Sequence, residues 1–120
     1  MINDYKKLQV WEKSIELVSL VYLITKSFPD AEKFGLTSQI RRAAVSIPSN
    51  IAEGKLRGGD VEFRRFLFVA FASGGELETQ FIIAKKLEFL NEKDYIKIEE
   101  SLSEVMKMLN SLIQKLGASR

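Results

Sequence analysis

Residues 39–54, Gln39-Ile40-Arg41-Arg42-Ala43-Ala44-Val45-Ser46-Ile47-Pro48-Ser49-Asn50-Ile51-Ala52-Glu53-Gly54, decide how this chain folds. The stretch opens on two adjacent arginines, is otherwise mostly apolar, and carries a proline in its middle. Ile40, Ala44, Ile47 and Ile51 recur at steps of three and four, which draws one stripe along a helix. A second stripe, Val45, Pro48 and Ala52, runs beside it, headed by Arg41. Only Arg42, Ser46, Ser49 and Glu53 remain as a narrow polar strip. Pro48 has no N–H, so the Ala44 carbonyl loses its helical partner, at about 3 kcal/mol in an unadapted helix. A kink that curves the helix around its neighbours is the packing explanation. A carbonyl opened to a ligand is the functional one. Ser46, Ser49 and Asn50 stand close enough in sequence to satisfy freed backbone groups.

Outward from this stretch the chain reads as three more helices. Upstream, Thr37 is placed to cap the helix just described, which runs to about Arg57 and is broken by Gly58-Gly59. The N-terminal helix shows a main seam of Leu8, Trp11, Ile15, Val18, Tyr22 and Thr25, with Leu17, Leu20, Ile24 and Phe28 beside it. Phe28-Pro29 ends it, because proline disfavours helix in the residue before it. Downstream, Asp60 is placed to cap a third helix, and Glu62 suits the positive end of its dipole. That helix aligns Phe63, Phe66 or Leu67, Ala70, Gly74, Leu77, Phe81 and Ala84. Asn91 to Asp94 resembles a capping box with a shorter acid. It opens a last helix with the seam Tyr95, Ile98, Leu102, Val105, Leu109, Leu112 and Leu116. No run alternates with period two. The pattern predicts an all-α fold over residues 1–120 as one domain: an antiparallel up-down four-helix bundle with its second helix kinked at Pro48.

The helices carry more apolar surface than one bundle buries. The second has two stripes, and the third is apolar all round between Phe66 and Ala72, with Phe68 and Phe71 turned away from the Phe63–Ala70 side. A helix apolar all round is a buried helix. A lone four-helix bundle has no central helix, so Val45, Pro48, Ala52, Phe68 and Phe71 are expected at an interface between subunits.

Composition narrows the function. Hydrophobic residues make up 46% and charged residues 28%, the balance of a folded chain rather than a disordered one. With no cysteine and no histidine, the chain lacks disulfides, thiolate chemistry and the commonest metal ligand and general base. The di-iron site of four-helix bundles needs Glu-x-x-His pairs, and neither glycine pair leads into a lysine with serine or threonine as a phosphate loop would. No catalytic residue, metal or cofactor is therefore expected. The N-terminus, MINDYKKLQVWEK, is too polar for a signal peptide, and the longest apolar run has seven residues against the roughly 20 that span a bilayer. The expectation is a cytoplasmic protein without a membrane partner.

Net charge is only +2, but it is unevenly placed. Between Lys33 and Arg57 the segment is +4, leaving −2 for the rest. In an antiparallel hairpin, Lys55, Arg57, Arg64 and Arg65 gather at one end, with Arg41 and Arg42 at the other end of the second helix. Such clusters attract phosphate backbones. Charges near helix ends also form ordinary solvated faces, and Arg41 or Arg42 has the alternative of pairing with Glu76 or Glu78.

Three segments carry a family pattern: LQVWEKSIELV at 8–18, FPDAEKFGLTSQIRRAAVSIPSNIAEG at 28–54 and EFRRFLFVAFASGGELETQ at 62–80. Together they resemble the four-helix bundle family named for proteins encoded in intervening sequences of bacterial 23S ribosomal RNA genes. The accessory protein of diversity-generating retroelements is a relative in fold. The resemblance implies a homopentameric barrel with a basic surface and a proposed role in binding nucleic acid. It carries over no catalytic residues. Arg41, Arg42, Asn50, Glu53 and Gly54 match the central motif, and Glu76 and Gln80 the third-helix motif. Two positions depart from the pattern: Gly74, where an apolar residue is usual, and Phe71, where a polar or basic one is common.

Two functions follow as expectations. One is a homo-oligomeric accessory protein, pentameric by the resemblance, contacting RNA or DNA phosphates through Arg41, Arg42, Lys55, Arg57, Arg64 and Arg65. The other is a protein-interaction scaffold whose basic residues pair subunits or a protein partner.

Overall fold

Helix α1 (Gln9–Thr25) begins after a short 3-10 turn at Tyr5–Lys7, whose start is capped by Asp4 accepting from the Lys6 N–H at 3.1 Å. The computed structural model describes residues 4–118. A second 3-10 turn, Asp30–Glu32, leads into α2 (Leu36–Leu56); α3 (Asp60–Lys86) and α4 (Glu92–Ala118) follow. There is no strand among the described residues. Each helix packs against its sequence neighbours, and α4 closes back onto α1. The result is the four-helix bundle, 45 × 24 × 20 Å.

The core is built from the inward stripes. From α2 come Ile40, Ala44, Ile47 and Ile51, all buried as the spacing predicts. From α3 come Phe63, Leu67, Ala70, Leu77, Phe81 and Ala84. From α4 come Ile98, Leu102, Val105 and Leu109, after which Ile113 rather than Leu112 turns inward. In α1 the two stripes exchange roles. Val10, Leu17, Val21, Ile24 and Phe28 are buried, while Leu8, Trp11 and Val18 cover the core's edge and Ile15 and Tyr22 are exposed. The stripe expected as the seam therefore lies mostly outside, apart from Thr25. The inward face carries two hydroxyls, Ser14 and Thr25, each donating to a backbone carbonyl at 2.7 Å, of Trp11 and Val21 respectively.

Two glycines let helices touch. A Cβ on Gly54 would lie 2.6 Å from the Phe66 Cβ, so α2 and α3 meet there backbone to side chain. A Cβ on Gly74 would collide with the Met106 thioether on α4. The departure from the family pattern at Gly74 thus makes room for a bulky partner. By length and apolar composition α3 alone among the described helices is able to cross a bilayer, but its inward residues line the bundle core.

Helix starts depart from the sequence reading. Thr37 lies inside α2, buried, its hydroxyl without a hydrogen-bond partner among the described residues. The cap comes from Glu32, whose carboxylate accepts from the Leu36 N–H at 3.2 Å. Asp60 is the first residue of α3 rather than its cap; Gly59, at φ 98°, occupies the cap position, with Gly58 also at positive φ. Both turn conformations favour glycine. Asn91 behaves as expected, accepting from the Asp94 N–H at 2.8 Å.

Helix α2 continues through Pro48, which is buried. Two residues on, Asn50 donates to both the carbonyl (2.8 Å) and the hydroxyl (2.9 Å) of Ser46. The Ser46 hydroxyl also meets that of Ser73 on α3 at 2.8 Å. The polar residues around the proline thus form a chain of bonds from α2 to α3.

Candidate nucleic-acid interface

The six cations singled out by sequence divide into three kinds. Arg41 and Arg64 are tied to backbone. The Arg41 Nε donates to the Thr25 hydroxyl at 2.9 Å, its Nη2 lies 3.5 Å from the Tyr22 carbonyl, and the guanidinium sits 4.5 Å from the Tyr22 ring centre. A cation at the C-terminal end of α1 answers the negative pole of that helix and its unpaired carbonyls. Arg64 reaches across to α4: its Nε donates to the Ile113 carbonyl at 3.0 Å, and it lies 5.0 Å over Phe68. Gly117 packs directly against the Arg64 guanidinium. Among the described residues neither Arg41 nor Arg42 pairs with Glu76 or Glu78. Glu76 instead accepts from Gln80 at 3.2 Å within α3.

Arg57 and Arg65 are paired with carboxylates. Arg57 bonds Glu53 at 3.0 Å, and Arg65 bonds both oxygens of Glu62 at 3.0 and 3.1 Å. The hydrogen bond from Arg65 holds the Glu62 carboxyl below the usual carboxylate range and raises the arginine's own value. Both guanidiniums also lie over the same ring, Phe66, at 5.1 and 4.5 Å. Arg42 and Lys55 have no carboxylate partner among the described residues. Arg42 is exposed, and the Lys55 ammonium lies 5.3 Å over Phe63.

The structure brings Lys55, Arg57, Arg64 and Arg65 together around the α2–α3 turn, each against an aromatic ring. Arg41 and Arg42 belong to the first turns of α2, where α1 ends. The anchoring roles of Arg41 and Arg64 are invisible in sequence because their partners lie 16 and 49 residues away. On another face Glu78, Glu99, Glu100 and Glu104 line an open cleft between α3 and α4, so the surface is polarised. Among the described residues no group of three or more acids is placed to hold a metal ion.

The residues expected at a subunit interface fall in two places. Val45, Pro48 and Ala52 line one groove with Trp11, Ile15 and Val18 from the outer stripe of α1. Phe68 is 48% exposed, whereas Phe71 is half-buried against the core edge. Further apolar residues stand in solvent along α3, among them Val61, Val69, Ile82 and Ile83.

A family model described as 23S rRNA-intervening sequence protein matches residues 6–111. The chain belongs to this family. The fold is similar to a crystal structure of a protein of unknown function from the S23 ribosomal protein family of Bacteroides thetaiotaomicron VPI-5482. That protein is 27% identical, superposes with a TM-score of 0.79, and is matched over 88% of this chain and 95% of its own. The comparison with curated proteins finds no match.

Proposed function

We propose that this family member is a non-catalytic, homo-oligomeric accessory protein, pentameric in its working form, that holds RNA or DNA by its phosphates. The observation that carries the reading is the gathering of Lys55, Arg57, Arg64 and Arg65 on aromatic rings at the α2–α3 turn. Rings fix the cations in place without neutralising them, and repetition of the cluster around an oligomer makes a rim of positive charge. The acidic α3–α4 cleft turns a polyanion away from the other face. The exposed groove of α1 and α2 supplies apolar surface for assembly.

A second reading, a protein-interaction scaffold, is favoured by the carboxylate partners of Arg57 and Arg65, since a phosphate has to displace them. Fluorescence anisotropy with a structured RNA and a matched DNA duplex, titrated with salt, separates the two. Affinity that falls steeply with salt, with a log–log slope of about −0.9 per phosphate contact on duplex, supports phosphate binding. Arg64 also bonds the backbone of α4 at Ile113, so the informative variant is Lys55→Glu with Arg65→Glu. It is expected to abolish binding and spare the oligomer measured by light scattering. Loss of the oligomer instead, or no binding to either nucleic acid at about 50 mM salt, favours the scaffold.

A further inference from the structure

Between the first turn of α1 and the last turns of α4 lies a cleft of about 500 Å³ that no part of the proposed function uses. Its floor is aliphatic: Leu8, Val10, Met108 and Leu112. Three lysines, Lys7, Lys107 and Lys115, stand around it. They are exposed and form no ion pair or side-chain hydrogen bond among the described residues. Elsewhere the lysines Lys13 and Lys85 do find carboxylates, at Glu16, Glu104 and Glu92. Lys107 stands between this cleft and the acidic one of Glu78, Glu99, Glu100 and Glu104, whereas Lys7 and Lys115 border the apolar floor alone. An apolar floor with a cationic rim is a combination that neither the core nor a solvated charged face requires.

We propose that this cleft binds a single-chain amphipathic anion: an aliphatic body laid on the floor, with its carboxylate or phosphate head held by the lysines. The cleft is shallow and open, so a chain lies along it rather than being enclosed. Met108 supplies a flexible, polarizable thioether that moulds to a chain of variable length. No aromatic residue lines the cleft, so it offers no platform on which a base would stack. A docked protein helix fits poorly as well. From Lys107 to Lys115 the cleft follows nine residues of α4, a rise of about 12 Å at 1.5 Å per residue. That is two turns, against the 20–30 residues per side of a stable protein interface. The lining shares no residue with the six cations or with the Val45–Pro48–Ala52 groove. The proposal therefore stands or falls independently of nucleic-acid binding and assembly.

The test uses laurate as the probe, with the intact protein. Displacement of 8-anilinonaphthalene-1-sulfonate, followed by fluorescence, gives the affinity, and amide NMR spectra locate the site. Laurate is expected to bind one per chain, to shift the amides of residues 7–10 and 107–115, and to bind at least about tenfold tighter than octanoate, whose shorter chain buries less. Dodecanol, equal in length and uncharged, is expected to bind about tenfold more weakly. Lys107→Ala with Lys115→Ala, both on the surface, is expected to reduce laurate affinity by about the same factor without changing the melting temperature. Absence of laurate binding at 1 mM by this assay (about the weakest affinity it reads) overturns the proposal. So do shifts confined to other residues, indifference to the lysine substitutions, and binding only to vesicles of mixed phosphatidylcholine and phosphatidylserine.

Discussion

The two apolar stripes of α1 are nearly matched in sequence and opposite in fate. Leu17 is fully buried, and Ile15, two residues away, is 38% exposed. Both stripes recur with helical spacing, and by apolar content the outer one is the more regular. What separates them is the company each keeps. The inner stripe carries Ser14 and Thr25, whose hydroxyls close onto backbone carbonyls of their own helix and so cost the core little. The outer stripe carries Trp11 and Tyr22, amphipathic rings suited to an edge. Helical periodicity shows that a face is apolar. Which of two apolar faces turns inward depends on residues supplied by other helices.

Substitution at the two positions is the most direct way to break this comparison. Leu17→Ala is expected to lower unfolding stability by about 3 kcal/mol, read by urea denaturation, because it empties a fully enclosed site. Ile15→Ala is expected to cost well under 1 kcal/mol in the monomer. Equal losses would show that the outer stripe is also buried in the protein as it exists in solution, which is what the proposed assembly requires. A concentration-dependent loss at Ile15 alone is the sharper form of that result.

A somewhat smaller effect is expected at Gly54, where the family motif ends. A methyl group at this position would sit 2.6 Å from the Phe66 Cβ, so α2 and α3 must separate. Gly54→Ala is expected to destabilise by about 2 kcal/mol, the cost of an overpacked contact, despite its better helix propensity. Stabilisation in a thermal melt would mean that the helices yield easily there, and that this glycine serves something other than close approach.

The same contrast between near and distant information marks what could be read in the chain. The inward stripes of α2 and α3 were legible from helical spacing, with the choice between Phe66 and Leu67 resolved by both being buried. The last turns of α4 were misread at Leu112, where two neighbouring apolar residues, Leu112 and Ile113, satisfy the spacing equally well. The caps at Thr37 and Asp60 failed because each helix starts from a glycine, with Glu32 reaching in from the preceding turn at the first. The cationic positions were legible as a set but not by role. Arg41 looks like Arg42 until the end of α1 is placed beside it, and Arg64 looks like Arg65 until α4 arrives at Ile113.

Arg41 and Arg42 accordingly give a third prediction, about 1 kcal/mol in size. Arg41→Ala removes a charged donor from the buried Thr25 hydroxyl and from the end of α1 and is expected to cost about 1–2 kcal/mol. Arg42→Ala is expected to leave stability unchanged within about 0.5 kcal/mol. Chemical denaturation of the pair, with RNA anisotropy alongside, assigns each arginine to fold or to ligand. A loss of RNA binding in Arg42→Ala without a loss of stability places Arg42 at the phosphates. The reverse order of stabilities would mean that the Arg41 contact to α1 does not persist in solution.

The smallest effect lies in the surface pairs, where inside and outside are contrasted for charge rather than for apolar area. The Glu62 carboxyl is held below the usual carboxylate range, first by its hydrogen bond from Arg65. A carboxyl with a depressed value in the folded protein contributes its stability above the unfolded value and loses it as pH falls through the folded one. Because the pair is exposed, that contribution is small and is screened by salt. The expected observation is therefore a local titration without a global transition. NMR of the Glu62 side-chain carboxyl is expected to show a midpoint that rises in Arg65→Ala, while the thermal midpoint at neutral pH barely moves. If the Glu62 midpoint is unchanged by removing Arg65, the carboxylate is not holding the guanidinium in solution. Arg65 is then free to meet a phosphate without first breaking a bond, and the scaffold reading is left with the Arg57–Glu53 pair alone.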